Sequence, residues 1–412
     1  MSRTPGEPPT RAGAGRGLAA FVAAGRDDFA ARFWDRAPLL SPGDALPGMD
    51  HGFGSQAVDE LLSRRALRTP FLRMAKDGAT LDPRTFTLGG GVGAAVSDQV
   101  SEDRVLALFA DGATIVLQGL HRAWGPVQDL AQDLAEDLGH PVQVNAYITP
   151  PQNRGFDDHY DVHDVFVVQV AGEKHWQVRP PVLDAPLRNQ PWTDHREAVR
   201  AAARDEPVVD AVLRPGDVLY LPRGWLHSAT ALGGTSIHLT FGIHVWTGRQ
   251  LADDLVRAAA HHLDSDPELR AALPVGADAL DGNTPPVARK AVREALERAL
   301  DAVTDDELAE VRATRVRSAQ RSEPLGVLAQ HDAARRHAGP WRPRAHLAAR
   351  WEGDVLVTRV GRVQVDPDQR DHVAAVLEGS GSAEALEPST RRTLALAGVI
   401  VPDPGPRTGS DG

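Results

Sequence analysis

Between residues 141 and 245 the chain breaks into short apolar runs rich in β-branched and aromatic residues, and no other feature limits its fold as much. PVQVNAYITP, DVFVVQVAG, KHWQVRP, DVLYLP and SIHLTFGIHVW are separated by the turn-forming stretches PPQNRG, AGEK and RPGD. Short strands punctuated by Gly and Pro in this way predict an all-β sandwich or barrel. All three tyrosines, Tyr147, Tyr160 and Tyr220, fall inside it, where they either line a pocket or pack in the core.

Within that stretch lies His159-Tyr160-Asp161, and His227 follows far downstream. In an extended segment, residues two apart project to the same face. His159 and Asp161 therefore point one way and Tyr160 the other. Two imidazoles and a carboxylate, the third ligand arriving from a separate strand, make one face of an octahedron and suit a non-haem Fe(II). Three positions then remain for a co-substrate and O₂. The tripeptide alone is weak, since His159 reads equally as a loop histidine and His227 as a core histidine bonded to a carbonyl. His163 and Asp164 lie close enough to compete.

The full 412 residues suffice for two or three domains. With 42% hydrophobic and 25% charged residues, the composition is that of an ordinary soluble globular protein. No apolar run is long enough to span a membrane. The segment GLAAFVAAG at 17–25 follows several arginines, as a leader would, but RDDFAARFW continues it with helical periodicity and the two read as one amphipathic helix. The absence of cysteine excludes disulfides and thiolate ligands, so any metal falls to His and carboxylate. A formal net charge of −11 disfavours DNA as a partner and suits a basic protein.

Helical signals flank the β region. AVDELLSRR reads as a short helix, and VQDLAQDLAEDLG carries Val127, Leu130, Leu134 and Leu138 on one face. Beyond Thr247, TPPVARKAVREALERALDAV begins with Thr284 as N-cap and Pro285 at the first helical position. Its stripe is Val287, Ala291, Ala295, Leu296, Leu300 and Val303, and Thr304 with Glu307 forms a capping box for the next helix. Residues 341–402 alternate strand-like and helical segments. The expected organisation is a disordered tail (1–16), a catalytic β domain (17–246), a helical region (247–338), a small α+β domain of winged-helix type (339–402) and a second tail (403–412).

The stretch NAYITPPQNRGFDDHYDVHDVFVVQVAGEKHWQVRPP at 145–181 resembles the JmjC/cupin-type ribosomal oxygenases, which are 2-oxoglutarate-dependent protein hydroxylases. RPGDVLYLPRGWLHSA at 214–229, SIHLTFGI at 236–243 and WDRAPLLSPG near the N-terminus are similar to segments of the same family. The resemblance covers most of residues 28–260. It implies an α+β chain with a double-stranded β-helix core, a helical dimerisation region and a C-terminal winged-helix-like domain.

Residue by residue, the resemblance makes His159, Asp161 and His227 the iron ligands. It gives Lys174, placed at a hairpin, to the distal carboxylate of 2-oxoglutarate. A lysine at a turn is otherwise simply solvated. Asn145 with Tyr147, and His238 with Thr240, are spaced to share a strand face, where they bind co-substrate or target, or make ordinary core hydrogen bonds. Gln118 is a further candidate for the substrate cleft. The implied reaction is Fe(II)- and O₂-dependent decarboxylation of 2-oxoglutarate coupled to hydroxylation of a His or Arg side-chain carbon, with a basic ribosomal protein as target and a cytoplasmic homodimer as the enzyme. The rivals are N-methyl-lysine demethylation or small-molecule or peptide hydroxylation by the same chemistry, and, in another class, a non-catalytic cupin scaffold that binds or regulates. The basic run at Arg342, Arg344 and Arg350 keeps that last reading open.

Overall fold

The computed structural model describes residues 16–272, 286–336 and 340–403. The chain divides into two compact units, residues 1–245 and 246–412. Residues 1–15 and 404–412 of the two expected tails, Thr284, Pro285 and the side chain of Val287 lie outside the described residues, while Arg16 begins a helix and the Asp403 amide donates to the Pro340 carbonyl at 2.8 Å.

In the first unit the expected single N-terminal helix is two short ones, α1 (Arg16–Ala19) and α2 (Arg26–Arg32), because Gly25 adopts an extended conformation between them. Then come β1 (Leu39–Ser41), α3 (Ser55–Arg64), β2 (Leu72–Lys76), β3 (Ala79–Thr80), β4 (Thr87–Leu88), β5 (Gln99–Val100), α4 (Glu102–Ala110), β6 (Thr114–Leu117) and α5 (Gly125–Leu138). The main strands follow: β7 (Val142–Thr149), β8 (Asp164–Arg179), β9 (Val209–Leu213), β10 (Val218–Leu221) and β11 (Leu226–Ile243), with α6 (Arg196–Ala202) between β8 and β9. Nine of these strands form one hydrogen-bonded sheet in the order β1-β10-β8-β11-β7-β6-β2-β3, with β9 paired to β8. Each end of β8 has its own outer neighbour, β10 at 165–168 and β9 at 174–178, while β11 runs antiparallel beside both halves. Two long strands shared in this way build the double-stranded β-helix.

AGEK is not a turn, and DVFVVQVAG and KHWQVRP are not separate strands; both belong to the continuous β8. The chain passes through with a bulge instead. Gly172 adopts φ +64°, and a Cβ there would sit 2.3 Å from the Thr235 carbonyl oxygen, so only glycine fits. The register with β11 shifts at the same place, between Leu232 and Ile237 and again at His238. A one-residue shift reverses which face each side chain takes. Val165 and Val167 before the bulge and Lys174 and Trp176 after it consequently line the same cavity, although their numbers differ in parity.

On the opposite face of the same strands, Phe166 and Val168 join Phe21, Phe29, Tyr220 and Phe241 in the main core. The rings of Phe21 and Phe241 meet edge to face at 4.8 Å, a favoured aromatic geometry. The apolar face of α5 predicted from sequence is buried at Val127 and Leu134.

The second unit starts with α7 (Gly248–Asp264), α8 (Pro286–Ala302), α9 (Asp305–Ala319) and α10 (Val327–Arg336). The capping box of Thr304 and Glu307 forms as expected at the start of α9. On α8 the buried positions are Ala295 and Ala299, whereas Leu296 from the predicted stripe is exposed. Next are β12 (Trp341–Pro343), β13 (Arg350–Glu352), β14 (Val355–Thr358), β15 (Gly361–Gln364), α11 (Arg370–Leu377), α12 (Pro388–Leu396) and β16 (Ile400–Pro402). Ala334 of α10 is buried in one core with Trp341, Leu356, Val373 and Leu394. The α10 helix thus packs with the C-terminal α+β elements, where β16 pairs with β12.

Candidate active site

His159 and His227 face each other in an isolated antiparallel bridge. The His227 amide donates to the His159 carbonyl at 2.8 Å and the return bond is 3.2 Å. Their ring centres lie 4.4 Å apart, and His227 Nε2 is 3.9 Å from Asp161 Oδ2. One ligand atom from each of His159, Asp161 and His227 lies within 4.8 Å of the other two. Tyr160 points the other way, is buried, and donates its hydroxyl to the Gln190 carbonyl at 2.9 Å.

Local structure orients both imidazoles. Nδ1 of His159 is 2.7 Å from the Asp157 carbonyl and Nδ1 of His227 is 3.0 Å from the Trp225 carbonyl. A carbonyl only accepts, so each Nδ1 carries the proton and each Nε2 presents a lone pair. Burial and the neighbouring His159 lower the His227 pKa to about 4, which keeps the ring neutral. Burial alone would raise the Asp161 pKa, but His163, His159, His227 and Arg73 outweigh it and hold the carboxylate ionised. Two neutral imidazoles and one carboxylate are the donor set an Fe(II) ion takes.

The turn that delivers His227 is anchored from below. Asp164, read as a competing ligand, is instead fully buried and structural. It accepts from the Tyr220 hydroxyl at 2.5 Å and from the Arg223 amide at 3.1 Å. Gly224 adopts φ +89°, where a Cβ would lie 2.6 Å from the Leu183 carbonyl oxygen. Its amide donates to the Asp161 carbonyl at 3.0 Å, tying the segment that carries Asp161 to the one that leads into His227. His163 turns away from the triad and stacks on His244 at 5.5 Å.

A second tie lies beside His159. Asp158 Oδ1 accepts from the Ser228 hydroxyl at 2.9 Å and from Arg179 Nη1 at 3.3 Å. Outer partners of this kind usually set metal affinity within about 10–100-fold. Asp158→Ala is expected to weaken Mn(II) binding about tenfold while the fold persists, and Ser228→Ala less. Calorimetric titration with Mn(II) tests this; unchanged affinity in Asp158→Ala would remove the positioning role.

The triad opens into a cavity of about 220 Å³ whose walls include Tyr147, Lys174, Trp176, His238 and Thr240. Lys174 is 4% exposed, so it is no surface lysine. Its Nζ lies 3.2 Å from Thr149 Oγ1 and 5.9 Å from the centre of the Trp176 ring. Among the described residues no carboxylate is within ion-pairing distance of it, and burial lowers its pKa to about 7. His238 stacks flat on Tyr147 at 4.9 Å and, chiefly through burial with Lys174 and His227 nearby, titrates well below the ordinary range. Its Nδ1 has no hydrogen-bond partner.

The remaining candidates are placed differently. Asn145 does not line the cavity; its Oδ1 accepts from the Gly119 amide at 3.1 Å. Gln118 is also absent from the walls, and its backbone amide donates to the Phe71 carbonyl at 2.7 Å. Arg73, Thr114 and Trp192 do line the cavity, and no spacing or motif marks them in the sequence.

A double-stranded β-helix with two histidines and an aspartate at one mouth defines the class of JmjC and cupin oxygenase folds. Residues 125–251 match the JmjC domain family. The chain is 31% identical over 259 residues to ribosomal oxygenase 1 of Gallus gallus, covering 60% of this chain and 40% of that protein. It is 38% identical over 119 residues to the bifunctional lysine-specific demethylase and histidyl-hydroxylase NO66 of Drosophila persimilis, covering 29% of this chain and 16% of that one. It thus spans less than half the length of these relatives. Among solved structures it is similar to the Escherichia coli ribosomal oxygenase YcfD, with a TM-score of 0.56 at 17% identity, covering 92% of this chain and 98% of that one. A further YcfD structure, TM-score 0.54 at 16% identity, is a complex with cobalt and 2-oxoglutarate and covers 91% of this chain and 97% of that one. The chain thus carries a JmjC domain and is similar to the ribosomal oxygenases over part of its length.

Proposed function

We propose that this protein is an Fe(II)- and 2-oxoglutarate-dependent oxygenase that hydroxylates a His or Arg side-chain carbon of a ribosomal protein. The observation that carries the reading is Lys174, a buried cation without a carboxylate partner among the described residues, sharing one cavity with the His159–Asp161–His227 cluster. A buried unpaired ammonium is costly unless a ligand supplies the counter-charge. A dicarboxylic 2-oxo acid answers it at one end and reaches the metal cluster with the other. The names of the relatives, ribosomal oxygenase and histidyl-hydroxylase, support a protein substrate.

The residues would divide the work as follows. Nε2 of His159 and His227 and the Asp161 carboxylate hold the iron, and the Asp157 and Trp225 carbonyls keep both rings in the correct tautomer. Lys174, with the Thr149 hydroxyl beside it, receives the distal carboxylate. Tyr147 stays protonated, because burial and the Asp161 charge outweigh Arg73, and so offers a hydroxyl to the co-substrate or target. Trp192 and Phe156 flank His159 and restrict water. Bound iron, 2-oxoglutarate and O₂ supply the oxidising chemistry, releasing succinate and CO₂ and leaving one oxygen atom on the target carbon.

Intact-mass comparison of ribosomal proteins from cells with and without the gene tests this directly. One ribosomal protein should be heavier by a single oxygen atom when the gene is present. Identical mass spectra would remove the ribosomal substrate.

A cytoplasmic location belongs to the same proposal, because a ribosomal target is met there; among the described residues no helix is long and apolar enough to cross a membrane. Homodimerisation through the helical region is also proposed. Leu251 and Val256 of α7 and Val292 and Leu296 of α8 are exposed apolar residues on helices that would bury them against a partner. Sedimentation equilibrium at micromolar concentration should return twice the chain mass, and a monomer mass would end this part of the proposal. Arg342 pairs with the Glu323 carboxylate and Arg350 with Glu310 and Glu352, while Arg344 donates to the main-chain carbonyls of Glu323 and Gly398, so two of the three charges are offset, which supports an oxygenase over a DNA-binding regulator.

A further inference from the structure

Arg73 is the second cation of the cavity, and beyond helping to keep Asp161 ionised it has no part in holding metal or co-substrate. It sits on β2, two strands across the sheet from Tyr147, by way of Val116. Its guanidinium lies over the Phe156 ring, 5.2 Å from the ring centre, and it acts electrostatically on both Asp161 and the Tyr147 hydroxyl. Among the described residues no carboxylate is within ion-pairing distance, and its buried Nε–H has no acceptor, although buried donors are normally satisfied.

Resting on the reading above, a charge balance of the loaded site leaves Arg73 over. One carboxylate of the co-substrate offsets Lys174, and the other, together with Asp161, offsets the metal dication. Imidazoles that ligate a metal through Nε2 add no charge, and burial disfavours the charged form of His238. The wall formed by Arg73, Phe156 and Tyr147 is therefore electropositive where the target side chain must enter. A guanidinium or ammonium arriving there meets an unscreened like charge, while an imidazole meets an aromatic face and N–H donors.

We propose that Arg73 is a specificity-determining residue that selects a target side chain uncharged at neutral pH, so that histidine is accepted and arginine and lysine are refused. Like charges within a few ångströms at an effective dielectric of about 20 discriminate by about one to two orders of magnitude.

The test uses the full chain loaded with Fe(II) and 2-oxoglutarate, and two matched capped peptides, Ala-Lys-Ala-X-Ala-Lys-Ala, with X histidine or arginine. Succinate formed above the peptide-free baseline is measured, and product masses identify the oxidised peptide. Wild type should favour the histidine peptide by about tenfold or more. Arg73→Gln should bring the two rates within about threefold, and Arg73→Lys should restore the preference, because charge and not shape is what repels. Taking the ratio within each variant cancels any general loss of activity. If Arg73→Gln does not fold, the wild-type ratio and Arg73→Lys still decide.

An arginine peptide used equally or better by wild type, succinate raised by neither peptide, or an unchanged ratio in Arg73→Gln overturns the proposal. Failure of the underlying oxygenase reading looks different: wild type would then form no metal-dependent succinate even without peptide.

Discussion

Asp161→Ala is expected to abolish metal binding and metal-dependent turnover of 2-oxoglutarate, with the β-helix intact. The carboxylate is the only anionic donor of the three, and its neighbours His163, His159, His227 and Arg73 keep it ionised against the effect of burial. Loss of an outer partner alone costs about 10–100-fold in metal affinity, so loss of this donor should exceed about a hundredfold. His227→Ala should behave alike. Its ring hangs on the Trp225 carbonyl and no other described His or carboxylate joins the cluster to replace it. Calorimetry with Mn(II), succinate formation with Fe(II) and far-ultraviolet circular dichroism together separate loss of metal from loss of fold. Wild-type Mn(II) affinity in His227→Ala would sink the triad assignment.

Lys174→Ala should raise the KM for 2-oxoglutarate by about one to two decades while Mn(II) affinity stays within a few-fold. A hydrogen bond to a charged group is worth roughly 1.5–3 kcal/mol, which sets that range. The same residue predicts a pH signature. Burial lowers its pKa to about 7 in the ligand-free protein, so above that pH the ammonium is increasingly neutral and must recover a proton when the carboxylate binds. The KM of wild type should therefore rise as pH climbs from about 7 to 9, approaching tenfold per unit, and be flat below about 6. In Lys174→Ala the rise should vanish. A KM unchanged by the substitution would take Lys174 out of the co-substrate site.

The two predictions differ in how far the residues themselves foretold the geometry. That His159 and Asp161 share a side follows from a two-residue spacing in extended chain, a purely local property. So does the strand content of 141–245, where β-branched and aromatic runs meet Gly and Pro breaks. The amphipathic face of α5 and the capping box of Thr304 are equally local, and both are found where the letters put them.

Lys174 is the opposite case. Its neighbours Gly172 and Glu173 read as a turn, and a turn lysine would be solvated. The close approach of the Thr235 carbonyl to Gly172 makes the segment a bulge, and the bulge rotates Lys174 inward. That contact joins residues far apart in the chain, so no window of sequence contains it. Asp164 was ambiguous for a similar reason. Only the arrival of Tyr220 and Arg223 makes it a buried anchor and not a ligand. Arg73 gave no signal at all, since an arginine in a short strand looks like any edge charge until β6 and β7 bring Tyr147 alongside. What this sequence determined by itself were the period-two alternation, the breaks, the caps and the donor types, because each depends on a few consecutive residues. Which side chains face the cavity, and which cations go unpaired there, was decided by the tertiary structure, because strand pairing brings together charges and carbonyls that are remote in the chain.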